Sequence, residues 1–194
     1  MRNSLKIAVF VVFAGLLAGC GDDGPVRTSG PPSLAALLDS TVINLEQWSI
    51  EDGGNDHYYG VIPLELYQDE MADLIASFEV SPWTAGLATL TSAEENSFIL
   101  DNVVAGTNQP SILDEFWIGA HYVDGEWAWS TGEVFGYTNW AIGEPNNIGI
   151  ETASAMWGPN NTQSNRTPGT WNNALPDDLV NPLSKLWAVV EFEE

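Results

Sequence analysis

The chain has 194 residues, with 27 acidic against 5 basic side chains and a formal net charge of −22. Such a surface repels nucleic-acid phosphates and anionic lipid faces, which excludes nucleic acid as a partner held by general electrostatics. The hydrophobic fraction of 44% is ordinary for a globular domain, and the single cysteine, Cys20, rules out both an internal disulfide and a cysteine-built zinc site.

Met1 to Gly19 reads as an export signal. Arg2 and Lys6 form its positive start, and Ile7 to Leu17 is an apolar run too short to span a bilayer. Two of the five basic residues fall in this leader, so three remain against the 27 acids. Leu17-Ala18-Gly19-Cys20 resembles a bacterial lipobox. That resemblance implies cleavage before Cys20, lipid attachment to its thiol, and a protein anchored to the bacterial cell envelope, in the outer membrane if the host has one. Residues 20–54 read as a lipidated tether and N-terminal extension: Gly, Pro, Asp and Ser dominate Gly21 to Ser33, with a short helix expected over Leu34 to Leu38 and a strand within Thr41 to Ile50.

Residues 55–194 read as the globular domain. His57 to Ile62 is expected to be a strand, and Leu64 to Phe78 a helix opened by Pro63, with Leu64, Met71, Leu74, Ile75 and Phe78 near helical spacing. Leu87 to Leu90 reads as a second strand. Ser92-Ala93-Glu94-Glu95 carries a capping-box pattern that starts a second helix through Phe98, Ile99 and Val103, with Gly106 ending it. The alternation in Glu126-Trp127-Ala128-Trp129-Ser130 suits a strand with both tryptophans on one face, and Leu186 to Phe192 is apolar enough for a central strand. Strand, helix, strand, helix, then short strands and long loops make an α+β pattern.

The chain is organised around Phe116 to Asn173. Trp117, Trp127, Trp129, Trp140, Trp157 and Trp171 supply large side chains to bury, while Glu144, Asn146, Glu151, Asn172 and Asn173 are hard oxygen donors in turn-rich context. Calcium takes several such oxygens, mixing carboxylates with amide carbonyls. His57 and His121 stand alone in the sequence, each without a nucleophile in register, and read as structural. No Gly-x-Ser-x-Gly elbow, phosphate loop or zinc-type histidine pair is present. Glu144 and Glu151 could be read as a glycosidase pair, but their amide neighbours favour an ion site. The chain is therefore read as a binder and not an enzyme.

Six stretches in order carry a resemblance. They are Leu87 to Asn96, Phe116-Trp117-Ile118-Gly119, Trp127 to Glu133 with Tyr137-Thr138-Asn139-Trp140, Gly143-Glu144-Pro145-Asn146-Asn147, Trp171-Asn172, and Trp187 to Phe192. From about Asp56 to Glu193 the chain resembles the C-type lectin-like domain. The resemblance implies an α+β fold with two helices flanking small antiparallel sheets and a long calcium-binding loop region. It implies a Ca2+ site built by Glu144, Asn146, Glu151 and Asn172, with Asn173 where the family has Asp, and a cis Glu144-Pro145 bond. It also implies that the first four of these residues bind a glycan. The Glu-Pro-Asn form points to mannose, N-acetylglucosamine or fucose. Asn173 removes one formal charge, the Thr152 to Thr170 loop is long, and the family's disulfides are absent. The alternative is the same domain binding a surface protein without sugar or calcium, a reading that the Asn173 change favours.

Overall fold

The structure is a computed structural model and describes residues 41–194 apart from 79, 110–113, 162, 164–165 and 177–184. The leader, Cys20, the tether and the expected Leu34 to Leu38 helix lie outside the described residues. Among the described residues there are eight strands: β1 (Ile43–Gln47), β2 (Tyr58–Leu66), β3 (Thr84–Leu87), β4 (Glu115–Val123), β5 (Glu126–Trp129), β6 (Ala153–Trp157), β7 (Trp171–Ala174) and β8 (Leu186–Glu193). Two helices accompany them. The first, α1, is Gln68–Ala76, and the second, α2, is Ala93–Phe98, which winds on as a π-helical stretch over Ile99–Val104.

The strands join in one mixed sheet of order β1-β2-β8-β4-β6-β7, with β3 paired to β8 and β5 to β4. The resemblance implied small antiparallel sheets. Here the parallel pairing of β4 with β8, Phe116 to Trp187 and Trp117 to Ala188, joins their strands into one hydrogen-bonded sheet. β1 pairs with β2, so residues ahead of Asn55 belong to it.

Both faces of the sheet are covered. Ile62, Trp117, Ala188, Val190 and Phe192 pack with Met71 and Ile75 of α1. Their neighbours in sequence Val61, Phe116, Ile118 and Val189 pack on the other face with Ile99, Val103 and Val104. This alternation explains why β8 reads as apolar from Leu186 to Val190: successive residues of that run pack on one side of the sheet or the other. Where Ile118 and His121 slip against β6, the freed β4 carbonyls are taken by side chains. Gln68 Nε2 donates to Ile118 O at 2.8 Å, and Ser154 Oγ to Ala120 O at 2.7 Å.

Three expected boundaries are corrected. Pro63, Leu64 and Leu66 belong to β2, and α1 starts at Gln68 with Tyr67 before it. β2 keeps pairing to Leu66, and the proline, which has no N–H, sits where the register shifts between Ile62 and Leu66. The second strand is Thr84–Leu87, three residues earlier than expected. Ser92 does cap α2, accepting from Glu95 N, but the Glu95 carboxylate turns to Thr91, accepting from its N–H at 2.6 Å and its hydroxyl at 2.8 Å. Trp129 is buried and Trp127 half-buried against the same core, as the alternation requires.

His57 is less isolated than its sequence context suggests. Its Nδ1 lies 2.6 Å from Glu191 Oε1, next to Tyr59, whose hydroxyl donates to Glu95 Oε1 at 2.5 Å. The hydrogen bond to Glu191 holds the His57 pKa above its ordinary 6.5, against the opposing pull of burial. Burial pushes Glu191 upward, and His57 and the Thr89 N–H counter this only in part.

Two outcomes are expected. A Cβ on Gly119 would sit 2.6 Å from the Leu87 carbonyl oxygen and 3.0 Å from Ser130 Oγ. Gly119→Ala should therefore lower stability by at least about 2 kcal/mol in denaturant unfolding, because backbone cannot step aside as a flexible side chain can. For His57 the folded pKa lies above the unfolded one, so its contribution is fully present below about pH 6.5 and is lost as pH rises through the raised value. His57→Gln should cost about 1–3 kcal/mol at about pH 6, and the gap from wild type should narrow toward about pH 9.

Candidate functional site

Trp171 opens β7 and is wholly buried. Trp129, Tyr137 and Trp140 meet it edge-on, with ring centroids 5.6, 5.5 and 5.6 Å away. Its Nε1 donates to Asn96 Oδ1 at 2.7 Å, its backbone N to Asn139 O at 2.7 Å, and its O accepts from Ala141 N at 2.8 Å. Asn96 and Asn139 both also donate to Gly169 O. The ring is thus fixed in position and rotation, and with it the two residues that follow, Asn172 and Asn173.

The loop from Ala141 to Glu151 folds back onto this strand. Glu144-Pro145 is cis, and Gly143, Asn147 and Gly149 have positive φ. Asn173 is the clasp. Its Oδ1 accepts from Asn146 N at 2.8 Å. Its Nδ2 donates to Asn146 O and, at 2.9 Å, to Glu151 O. Glu144 Oε2 accepts from Asn146 N at 3.1 Å and from Asn146 Nδ2 at 2.7 Å. Glu144, Asn146, Glu151, Asn172 and Asn173 therefore share one corner of the molecule. Within it Asn173 is buried and its amide is engaged in holding the loop, while Glu144 and Glu151 are half-buried and Asn146 is exposed.

The electrostatics are those of crowded anionic oxygens. Burial raises the pKa of Glu151, and Glu144 adds to the rise while the Asn147 side chain opposes it. Behind them stands a residue that sequence reasoning passed over. Glu115 opens β4, is buried, and accepts from Asn172 Nδ2 at 2.9 Å. Burial pushes its pKa up to about 8; the Asn172 amide and the Arg166 cation pull it down, and Glu144 pushes it up. The available signal was an acid at the head of an otherwise apolar run, Phe116 to Ala120. Among the described residues no three His, Cys, Asp or Glu side chains converge as a metal-holding group. The donors here are two carboxylates mixed with amides, an all-oxygen set of the kind calcium takes and zinc does not.

The family model described as "Lectin C-type domain" matches residues 83–179, half of the chain and all of this corner. The chain belongs to the C-type lectin domain family.

Among its relatives, the low affinity immunoglobulin epsilon Fc receptor of Mus musculus is 32% identical over 102 residues, which is 52% of this chain and 26% of the receptor. Lectin BRA-3 of Megabalanus rosa is 30% identical over 92 residues, 42% of this chain and 52% of that lectin. The match thus spans only about a quarter and a half of those two relatives. In fold, the chain is similar to the C-type lectin CEL-I of Cucumaria echinata, with a TM-score of 0.59 and 19% identity, covering 80% of this chain and 99% of that one. C-type lectin domains are in general binding modules that recognise carbohydrate.

In this C-type lectin domain the amide of Asn173 has a use that an aspartate cannot serve. Aspartate has no N–H to give to Asn146 O and Glu151 O, and would set a carboxylate against both carbonyls. Asn173→Asp should lower the stability of the protein in chelator by about 1–3 kcal/mol, read by denaturant unfolding, with Asn173→Ala as the comparison that removes the bonds without adding charge.

Proposed function

We propose that this protein binds glycans in a calcium-dependent way through Glu144, Asn146, Glu151 and Asn172. The observation that carries the reading is the clasp at Asn173, which draws the Glu144-Pro145-Asn146 turn and Glu151 onto the strand that presents Asn172. The oxygens gathered there fit calcium in type and in charge. With two carboxylates in the ligand set, affinity is expected at the weak end of extracellular sites, about 10⁻⁴–10⁻³ M.

Bound calcium would supply coordination positions to two vicinal sugar hydroxyls. The carboxylates of Glu144 and Glu151 would accept hydrogen bonds from the hydroxyls, and the remaining amide hydrogens of Asn146 and Asn172 would donate to the hydroxyl oxygens. The Glu-Pro-Asn order suits the equatorial diol of mannose, N-acetylglucosamine or fucose. The leader and Cys20 complete the proposal: an exported, lipid-anchored protein that holds this domain at the bacterial cell envelope, facing surface glycans.

A second reading has its own support. Asn173 satisfies the loop carbonyls with its own N–H groups, so the loop holds its shape by hydrogen bonds internal to the chain. One relative is, by name, a receptor for an immunoglobulin. In this reading the site is a protein-binding surface, and chelator leaves binding intact.

Calorimetric titration with calcium, and with magnesium as control, separates the two. Saturation below about 1 mM calcium and a raised melting temperature are expected. Glu144→Gln should abolish both, and Asn173→Asp should tighten calcium binding by restoring a charged ligand. Glycan capture that survives chelator, or no calcium uptake at about 10 mM, overturns the calcium mechanism.

A further inference from the structure

We infer that Glu115 is a positioning residue for this site: its buried carboxyl holds the Asn172 side-chain amide so that the amide oxygen turns away from the sheet and faces the ligand. The inference rests on the calcium-dependent reading, in which Asn172 presents that oxygen. A side-chain amide is planar, with its nitrogen and oxygen on opposite sides of one carbon. Once Nδ2 is tied to Glu115 Oε1 at 2.9 Å, the oxygen must lie on the far side. One N–H is used in this bond, and the second N–H and the oxygen remain.

Glu115 is placed to act as a fixed anchor. It sits 3% exposed at the head of β4, paired with Trp157 of β6. Its backbone carbonyl accepts from Gln109 Nε2 at 2.5 Å, which pins the residue from outside the ladder. The next strand, β7, pairs Asn172 with Ala155 of β6, so anchor and amide are carried by strands of the same sheet, two ladders apart. Arg166 lies over the Trp157 ring, its Cζ 4.1 Å from the centroid, and contributes positive charge to this region without forming an ion pair with Glu115 among the described residues.

In this bond Glu115 Oε1 is the accepting atom, and an Asn172 turned the other way would set its own oxygen against that same oxygen, acceptor against acceptor. Burying a carboxyl without a counter-ion is unfavourable, and an apolar residue would fill the same space more cheaply. What an apolar residue would not do is choose between the two orientations of Asn172. Groups that orient a ligating side chain commonly change metal affinity by about 10–100-fold when removed.

The test uses the whole protein and two readouts. The first is the calcium dissociation constant by calorimetry, calcium alone as probe. The second is the side-chain amide proton resonance of Asn172, followed in chelator, which needs no metal. Glu115→Gln keeps an acceptor oxygen in place, and affinity should stay within about threefold of wild type. Glu115→Met keeps length and bulk but removes the acceptor, and affinity should fall about tenfold or more. The Asn172 amide protons should be distinct and slow to exchange in wild type and in Glu115→Gln, and averaged or fast-exchanging in Glu115→Met. Wild-type affinity in Glu115→Met, or an unchanged Asn172 resonance there, overturns the inference. If wild type takes up no calcium, the reading of the site fails, and the resonance still decides whether Glu115 orients Asn172.

Discussion

The site depends on the burial of one indole, Trp171. A fully buried tryptophan removes about 150–250 Å² from water, roughly 4–6 kcal/mol at about 25 cal/mol per Å² before entropy is counted. Three aromatic rings and the Asn96 carbonyl oxygen leave it a single pose. Strand alternation then sends Asn172 to one face and Asn173 to the other. The loop that carries Glu144 and Asn146 has little apolar anchorage of its own, since Ile142, Ile148 and Ile150 are exposed. It is held chiefly by backbone bonds to Trp171 and by the amide of Asn173.

This arrangement bears on how a domain of this family stands without disulfides, whose loss typically costs small secreted domains about 2–5 kcal/mol. The sheet is covered by helices on both faces, and carbonyls freed at the β4 irregularity are paired by Gln68 and Ser154. A second polar cluster, His57, Tyr59, Glu95 and Glu191, ties β2, β8 and the start of α2 together through bonds of 2.5 to 3.2 Å. Cross-links of this kind join residues far apart in sequence, as a disulfide would, but respond to pH in a way a disulfide does not.

An asparagine and not an aspartate at position 173 changes the character of this corner as well as its charge. The amide makes the loop self-supporting, at the expense of a formal charge. In the calcium-dependent reading, fold and cation affinity therefore compete for the same side chain. In the protein-binding reading, the same amide is what allows the loop to keep its shape without an ion.

The sequence alone determined what rests on local chemistry and on motif order. Ser92 capping α2, Gly106 closing the helical stretch, Trp127 and Trp129 sharing a face, and β8 as a central strand all follow from spacing rules that act within a few residues. The six stretches in order led to the family, and so to the cis Glu144-Pro145 bond and the corner where the oxygen donors meet. Only the tertiary structure decided which partner each polar group takes. Periodicity opened the first helix at Leu64; β2 instead runs on to Leu66, which pairs with Leu186 of β8. His57 looked solitary until Glu191 arrived from 134 residues away, and Glu115 met Asn172 across 57 residues. Local propensity has no term for such meetings. They are set by sheet register, and register is chosen by the burial of both faces at once.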